Sequence, residues 1–512
     1  MTSFAIFLTA LTNALQLSPR LLYTLALLLV PSSLILLSRI IGNAVTDFRT
    51  KDGRKMVVLK QDTRVSRFTH GPALSQEGKR LAGIDPYLVR NGGNLEVVIH
   101  SPEHVRDFFA KDGKDHLKPP NANFGVYFGR MLGECVGMLN GSVWDKAKVH
   151  LIPHFAHGAA MAAVPMFKAE YLRWVEKLPE DKLVSYKRSD GSGFVIDALS
   201  ACRKLPFKLI AMVLYRDMLT DKLFDELWEL NEVHERITYA ALLRDLPAKK
   251  WYSFLPTRDN KLLEAYLKDW ARLNMAVINE ARVTGTYCPV TEMYKGVENG
   301  DMTLEQFLQS LDEILFTNVD VTSSIFAYVL INLARDREFQ SALRQEILSY
   351  SHGLDAYITD DEALLHFAYL EALRVNPASW FSIPETTGPD PKYIGSFLIP
   401  PHTSVIIDLK ILNTQSPIWG SDGHIFRPLR WRGMSPSAVR YSFHRYGMGP
   451  RKCMGKNVAN ILIKMLMVTL LEKYEVVADA EEGEGKYRTD RFTRAPEKEV
   501  EFRVLLGKGG GQ

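Results

Sequence analysis

The stretch "YGMGPRKCMGKNVA", Tyr446 to Ala459, decides how this chain is read. It carries three glycines, three basic residues and one cysteine, and it runs directly into the apolar segment "NILIKMLMVTLLEKY". Two chemistries compete for it: a glycine-rich loop that cradles phosphate, or a loop that presents the thiol of Cys453. A phosphate loop of the form GxxxxGK[ST] needs glycine where this chain has Pro450, and Ser or Thr where it has Asn457. The lead-in "AVRYSFHR" is not a hydrophobic strand either. The phosphate reading fails on spacing and on context.

The thiol reading fits better. Gly449, Arg451, Cys453 and Gly455 alternate, and a helical pattern begins just after the cysteine. A sulfur at a helix start faces unpaired backbone N–H groups and the positive end of the helix dipole, and both favour thiolate. Glycines let the backbone approach a flat ring system closely. Arg451 can neutralise an acidic group at the edge of such a ring. Together these residues would present one thiolate to an iron porphyrin.

Working outward, the chain has 512 residues, enough for one large domain or two ordinary ones. A net charge of +4 is mild at this size and weighs against a nucleic-acid partner, whose binder would concentrate basic residues on one face. Cys135, Cys202, Cys288 and Cys453 are widely spread with no CxxC pair, so neither a disulfide framework nor a cysteine-rich zinc site is expected. The first three are expected to be reduced and buried. "LLYTLALLLVPSSLILL", Leu21 to Leu37, is uncharged and with its flanks approaches the ~20 residues that cross hydrocarbon. Basic residues gather downstream, at Arg39, Arg49, Lys51, Arg54 and Lys55, against Arg20 alone upstream. The positive-inside rule then places residues 1–19 as a lumenal leader, 20–41 as a single-pass membrane anchor, and the rest in the cytosol.

From 42 to 507 no linker or repeat breaks the pattern, so one large domain is expected, with 508–512 as a flexible tail. Helical patterns dominate. Thr303 to Asp336 runs over thirty residues without Pro or Gly, which predicts one helix across the whole domain. "DDEALLHFAYLEALRVN" predicts another, ended by Pro377. Strand signals are sparse: Asn94 to His100, Ser396 to Leu409 and Glu499 to Leu506. The fold class is mainly α with a small β portion.

The cysteine loop resembles the cytochrome P450 signature FxxGxRxCxG, with Tyr446 in the place of Phe; its ring would pack beside the sulfur, and its hydroxyl would need a partner. Glu371 and Arg374 match the helical ExxR of that family, and "FRPLRW", Phe426 to Trp431, follows in order. The resemblance implies that Arg430 joins Glu371 and Arg374 in a buried network holding the cysteine loop. Such a cluster must be fully hydrogen-bonded to be tolerable. Trp144 and Lys148 in "WDKAK" stand where the family has WxxxR and would contact haem propionates. No arginine follows Pro384 and Glu385 where the family usually offers another, so propionate pairing looks lean. The oxygen-side motif [AG]Gx[DE]T reads "TNVDVTSS" here. Residues two apart on a helix diverge by about 200°, so Asp320 and Thr322 cannot face one point, whereas Asn318 and Thr322 share a face. Thr322 would then hydrogen-bond oxygen, with Asn318 or water relaying protons and Asp320 as the rival.

What the resemblance implies is a haem-thiolate monooxygenase with the P450 fold. Cys453 would be the axial ligand of haem b (iron protoporphyrin IX), and Arg451, Trp144, Lys148, Tyr446, Gly449 and Gly455 would surround the cofactor. Thiolate ligation favours O–O cleavage. Molecular oxygen would be the co-substrate, and NADPH would act through a separate NADPH-cytochrome P450 reductase, since the chain has no dinucleotide fingerprint. Lys452, Arg445 and Lys146 would form the basic face for that partner. The anchor implies the endoplasmic reticulum membrane. The likeness extends to microsomal enzymes of fungal natural-product pathways, and the substrate would be a small hydrophobic molecule, a diketopiperazine or another peptide-derived compound. Phe124, Tyr127, Phe128, Trp380 and Phe381 are aromatic candidates for contacting it. Oxidative ring closure, coupling or ring expansion, an isomerase or dehydratase that consumes no NADPH, and a non-enzymatic haem sensor or binding protein remain the alternatives.

Overall fold

The computed structural model describes residues 48–479 and 485–505. The leader at 1–19, the anchor at 20–41 and the tail at 508–512 lie outside the described residues. Residues 48–56 form a small turn of their own, closed by the Arg49–Lys55 bridge.

Eleven short strands are distributed along the described chain. They are β1 (Val58–Asp62), β2 (Tyr87–Asn91), β3 (Asn94–Ile99), β4 (Val184–Lys187), β5 (Gly193–Asp197), β6 (Glu385–Thr386), β7 (Lys392–Ile394), β8 (Phe397–Ile399), β9 (Ser404–Ile407), β10 (Tyr474–Val477) and β11 (Glu499–Val504). They build three sheets, ordered β1-β2-β3-β9-β6, β10-β11-β5-β4 and β7-β8. In the first, β3 and β9 run parallel in register from Glu96–Ser404 to Ile99–Ile407. In the second, β5 and β11 are antiparallel, and Phe194 opposes Phe502 with the rings 5.3 Å apart. The three sequence-predicted strand regions appear as β3, as β8 and β9, and as β11. The β4–β5 hairpin was missed, although "RSDGSG" between its strands is a turn signal, with Gly191 at φ 71°.

Helices make up most of the body. Those that position the site are α1 (Gly141–Leu151), α2 (Asp221–Leu243), α3 (Arg258–Thr284), α4 (Leu304–Leu315), α5 (Thr317–Arg335), α6 (Leu364–Val375) and α7 (Lys456–Lys473). The long helix expected from Thr303 to Asp336 starts and stops where predicted. Thr303 caps it in a reciprocal pair with Gln306, and Asp336 is its C-cap. It is interrupted at Phe316, however, between α4 and α5. The cause is local. Nδ2 of Asn318 donates to the carbonyl of Ile314 at 2.8 Å, and the Val319 N–H reaches only as far as Phe316 O, at 3.1 Å. A side chain has taken a carbonyl that the backbone ladder would have used, which is a recognised cause of helix irregularity.

Across that turn, Leu304–Arg335 is the one run among the described residues long and apolar enough to cross a membrane, and 78% of its apolar window is buried inside the protein. Every residue of α5 from Thr322 to Ala334 is buried. It is a core helix, and each enclosed leucine such as Leu330 contributes about 2 kcal/mol. α6 and α7 pack with it in the same core.

A candidate active-site cavity over Cys453

A cavity of about 490 Å³ opens where α4, α5, α7, β9 and the cysteine loop meet. Its floor is the loop from His444 to Gly455, and its helical wall carries Glu313, Ile314, Thr317, Asn318, Val321 and Thr322. Val405 and Ile407 of β9 close another side.

Cys135, Cys202 and Cys288 are buried and unpaired, whereas Cys453 is open to this cavity. The backbone N–H groups of Gly455 and Lys456, at the start of α7, hydrogen-bond its sulfur. Burial is nevertheless the larger effect and holds the thiol above its ordinary value; those N–H groups oppose it. Helix-start geometry alone therefore does not make this sulfur a thiolate. A bound metal ion would, because coordination deprotonates a thiol outright. The Cys453 N–H donates to Tyr446 O at 2.7 Å, closing the loop. Gly447 and Gly449 have φ of 75° and 66°, a region only glycine enters without strain. Tyr446 does so at 58°, so the loop stores some backbone strain. Its hydroxyl accepts from Tyr369 at 3.4 Å. Gly455 leaves the sulfur uncovered: a Cβ there would sit 3.7 Å from Sγ.

The loop is held from below by Glu371, which is fully buried. Arg374 donates to it twice, Nε to Oε2 at 2.8 Å and Nη2 to Oε1 at 2.7 Å. Nε of Arg430 reaches Oε1 at 2.8 Å, and the Arg427 N–H and Trp431 Nε1 add bonds of 2.9 Å each. Arg374 also donates to the carbonyl of Asn413 at 2.8 Å, and the Asn413 side chain brackets the backbone of His444, two residues before Tyr446. Asn413 is a part of this hub that sequence reasoning did not find, and Trp431, the last residue of the FRPLRW element, gains a role there through its bond to Glu371.

The cationic side of the cavity differs from expectation. Arg451 lies 4.5 Å from the Trp144 ring centroid and donates to Gly137 O at 3.1 Å. Lys148 is not on the cavity wall: Asp145, one turn earlier on α1, is its nearer partner. Lys118, Arg445 and His444 line the cavity instead. Nη1 of Arg445 and Nδ1 of His444 are buried with no hydrogen-bond partner. Arg445 is thus half-buried, with its guanidinium beside the Tyr369 and Phe443 rings. No motif in "HLKPP" flags Lys118. It pairs with Glu385 at 2.9 Å. Burial pushes the Glu385 carboxyl up, but Lys118 and His116 outweigh it and hold the group at about 2.

On the helical wall, Asn318 and Thr322 open on the cavity, and Asp320 does not. Asp320 points to the far side of α5, where Arg203 and Arg491 each approach it at 3.5 Å. Thr317, not singled out from sequence, lines the cavity with its hydroxyl buried and unpartnered. None of the five aromatic candidates lines the cavity. Phe124 packs edge-on against Phe128, Tyr127 donates to Asp259 O, and Trp380 and Phe381 belong to a small core with Tyr87. Their apolar faces are consumed by core packing; Phe108, Phe109, Trp144 and Phe155 supply the aromatic lining.

Residues 85–500 match the family model described as Cytochrome P450. The chain is a cytochrome P450. It is 39% identical over 465 residues to cytochrome P450 monooxygenase lepD of Aspergillus flavus, covering 90% of this chain and 91% of that one. It is 34% identical to cytochrome P450 monooxygenase opdB of Penicillium oxalicum, over 87% of this chain and 89% of that one. To apdB of Emericella nidulans, also a cytochrome P450 monooxygenase, it is 34% identical, over 92% and 96% respectively. The enzyme is a monooxygenase. A P450 implies haem iron, oxygen and electrons from a reductase. The residues present fit that group: a sulfur open to the cavity on the floor, glycines beside it, Arg451 and Lys118 on the lining for acidic substituents, and buried nitrogens of His444 and Arg445 without partners.

Proposed function

We propose that this P450 is a haem-thiolate monooxygenase, anchored in the endoplasmic reticulum membrane by residues 20–41, with its catalytic domain at 42–507 in the cytosol. It inserts oxygen into a small hydrophobic natural product, a diketopiperazine or another peptide-derived compound. The observation that carries the reading is the placement of Cys453 Sγ on the floor of a large apolar cavity, with two backbone N–H groups directed at it.

Cys453 would hold the iron, and Arg451, Lys118 and Trp144 would hold the acidic edge of the porphyrin. The bound haem supplies oxygen activation and the transfer of one oxygen atom to the substrate. The protein does the rest. Apolar walls from Ile314, Val321, Ile325 and Val405 exclude water and seat a hydrophobic molecule. Asn318 commits Nδ2 to Ile314 O, leaving Oδ1 to accept from a water. The Thr322 hydroxyl, on the same face, can hold that water and pass it a proton. NADPH-cytochrome P450 reductase supplies the electrons.

Val321 stands next to Asp320, where the family pattern places threonine, and Asp320 is engaged elsewhere. This favours a second reading in which the same site performs ring closure, coupling or ring expansion. The test begins with the full chain reconstituted with hemin. A red-shifted carbon monoxide Soret band that Cys453→Ser abolishes supports the thiolate reading; a colourless chain, or a variant keeping the band, refutes it. Labelled oxygen found in the product selects insertion, and its absence selects ring chemistry.

A further inference from the structure

We infer that Glu313 is a specificity-determining residue that accepts a hydrogen bond from a ring N–H of the substrate. The inference rests on the proposed reading of the cavity as the substrate chamber, and it narrows the substrate class. Glu313 lies on α4 one turn before the break, on the helical face that continues through Thr317 and Val321 along the cavity wall. It is nearly enclosed by protein, and that desolvation raises its carboxyl above the ordinary value.

A carboxylate in such a place needs partners, and this one has few. Oε2 accepts the Gly137 N–H at 2.9 Å, and the Cys135 thiol gives a further weak donor. Among the described residues no lysine, arginine or histidine forms an ion pair with it, although Lys118 and Arg451 act on it from a distance. Glu385, the other carboxylate on the wall, is neutralised by Lys118. Glu313 is therefore the carboxylate on the cavity wall that no basic side chain pairs with among the described residues. An unpaired buried charge is costly unless something donates to it. The Gly137 backbone passes close to Glu313: its N–H anchors Oε2, and a Cβ there would fall 1.9 Å from Oε1, so a larger residue at 137 would displace the carboxylate. A desolvated acceptor of this kind discriminates strongly between a ligand with N–H and the same ligand without it.

The test uses the full chain loaded with haem and two probes, cyclo(Phe-Phe) and its N,N′-dimethyl derivative. Binding is read by calorimetry and by the Soret shift each probe produces. The N–H probe is expected to bind tighter by roughly tenfold to a hundredfold, the worth of a hydrogen bond to a charged group. Glu313→Gln keeps an acceptor for Gly137 and should preserve haem content, but the preference should fall by about tenfold as the charge is lost. No preference in the wild type, no binding of either probe, or an unchanged preference in Glu313→Gln overturns the inference. Haem uptake and the carbon monoxide band on the same samples report separately on the thiolate reading. A chain that takes up no haem sinks that reading, while calorimetric discrimination between the probes still supports Glu313.

Discussion

Glu371→Gln is the most informative single substitution outside the cavity. The wild-type carboxylate accepts five N–H groups, at 2.7, 2.8, 2.8, 2.9 and 2.9 Å, two of them from Arg374 and one from Arg430. An amide has one oxygen. If its nitrogen takes the Oε2 position, the Arg374 Nε and Trp431 Nε1 donors face another donor. If it takes Oε1, Arg374, Arg430 and the Arg427 N–H all lose their acceptor. Both orientations also leave the Arg374 guanidinium buried without a counter-charge, while Arg430 keeps only Asp422, at 3.5 Å. Breaking a buried charge pair on one side costs about 3–5 kcal/mol, a large share of the roughly 5–15 kcal/mol that holds a domain together. The assay is urea unfolding of the haem-free chain followed by far-ultraviolet dichroism, with haem retention measured in parallel. Because Arg374 supports Asn413, and Asn413 brackets His444, haem should be lost at lower urea than in the wild type. A variant within about 1 kcal/mol of the wild type, holding haem equally well, refutes the view that this hub supports the cysteine loop.

Three further outcomes follow from the geometry. The Glu385 carboxyl, at about 2 in the folded chain against 4.5 ordinarily, stabilises the fold above pH 4.5, and that contribution is lost as pH falls toward 2; Lys118→Ala should flatten this acid dependence, which is on the order of 3 kcal/mol, in urea titrations at pH 6, 4 and 3. Thr322→Ala should divert electrons to peroxide severalfold more than Asp320→Asn, since only Thr322 opens on the cavity; peroxide yield per NADPH ranks the two, and the reverse order sinks the Thr322 assignment. Deleting residues 2–41 should release the chain from microsomes on alkaline extraction, and continued retention of the truncated chain would refute the anchor at 20–41.

Much of this site was legible because its chemistry is local. Gly449, Arg451, Cys453 and Gly455 lie within seven residues, and Glu371 and Arg374 share one turn of helix. The angular argument along α5 separated Asp320 from Asn318 and Thr322 by residue spacing alone. The break at Phe316 was not legible, because it depends on whether the Asn318 side chain turns back to Ile314 or outward, which the sequence does not encode locally. Lys118 and Asn413 were missed for a related reason: each reaches the site through a long-range approach with no periodic signature. The aromatic candidates misled because aromatic residues near a cavity serve equally well as core, and Tyr127 and Trp380 are enclosed there.

The pairing of β3 with β9 and of β5 with β11 joins segments about three hundred residues apart. Neither sheet can zip until most of the polypeptide has been made, and loop closure over such spans is entropically slow. Folding of this enzyme should therefore be a late, all-at-once event after synthesis, with no half able to mature alone. Split or truncated versions lacking the last twenty residues before Leu505 would leave β5 with an unpaired edge, open to strand exchange with a neighbouring chain.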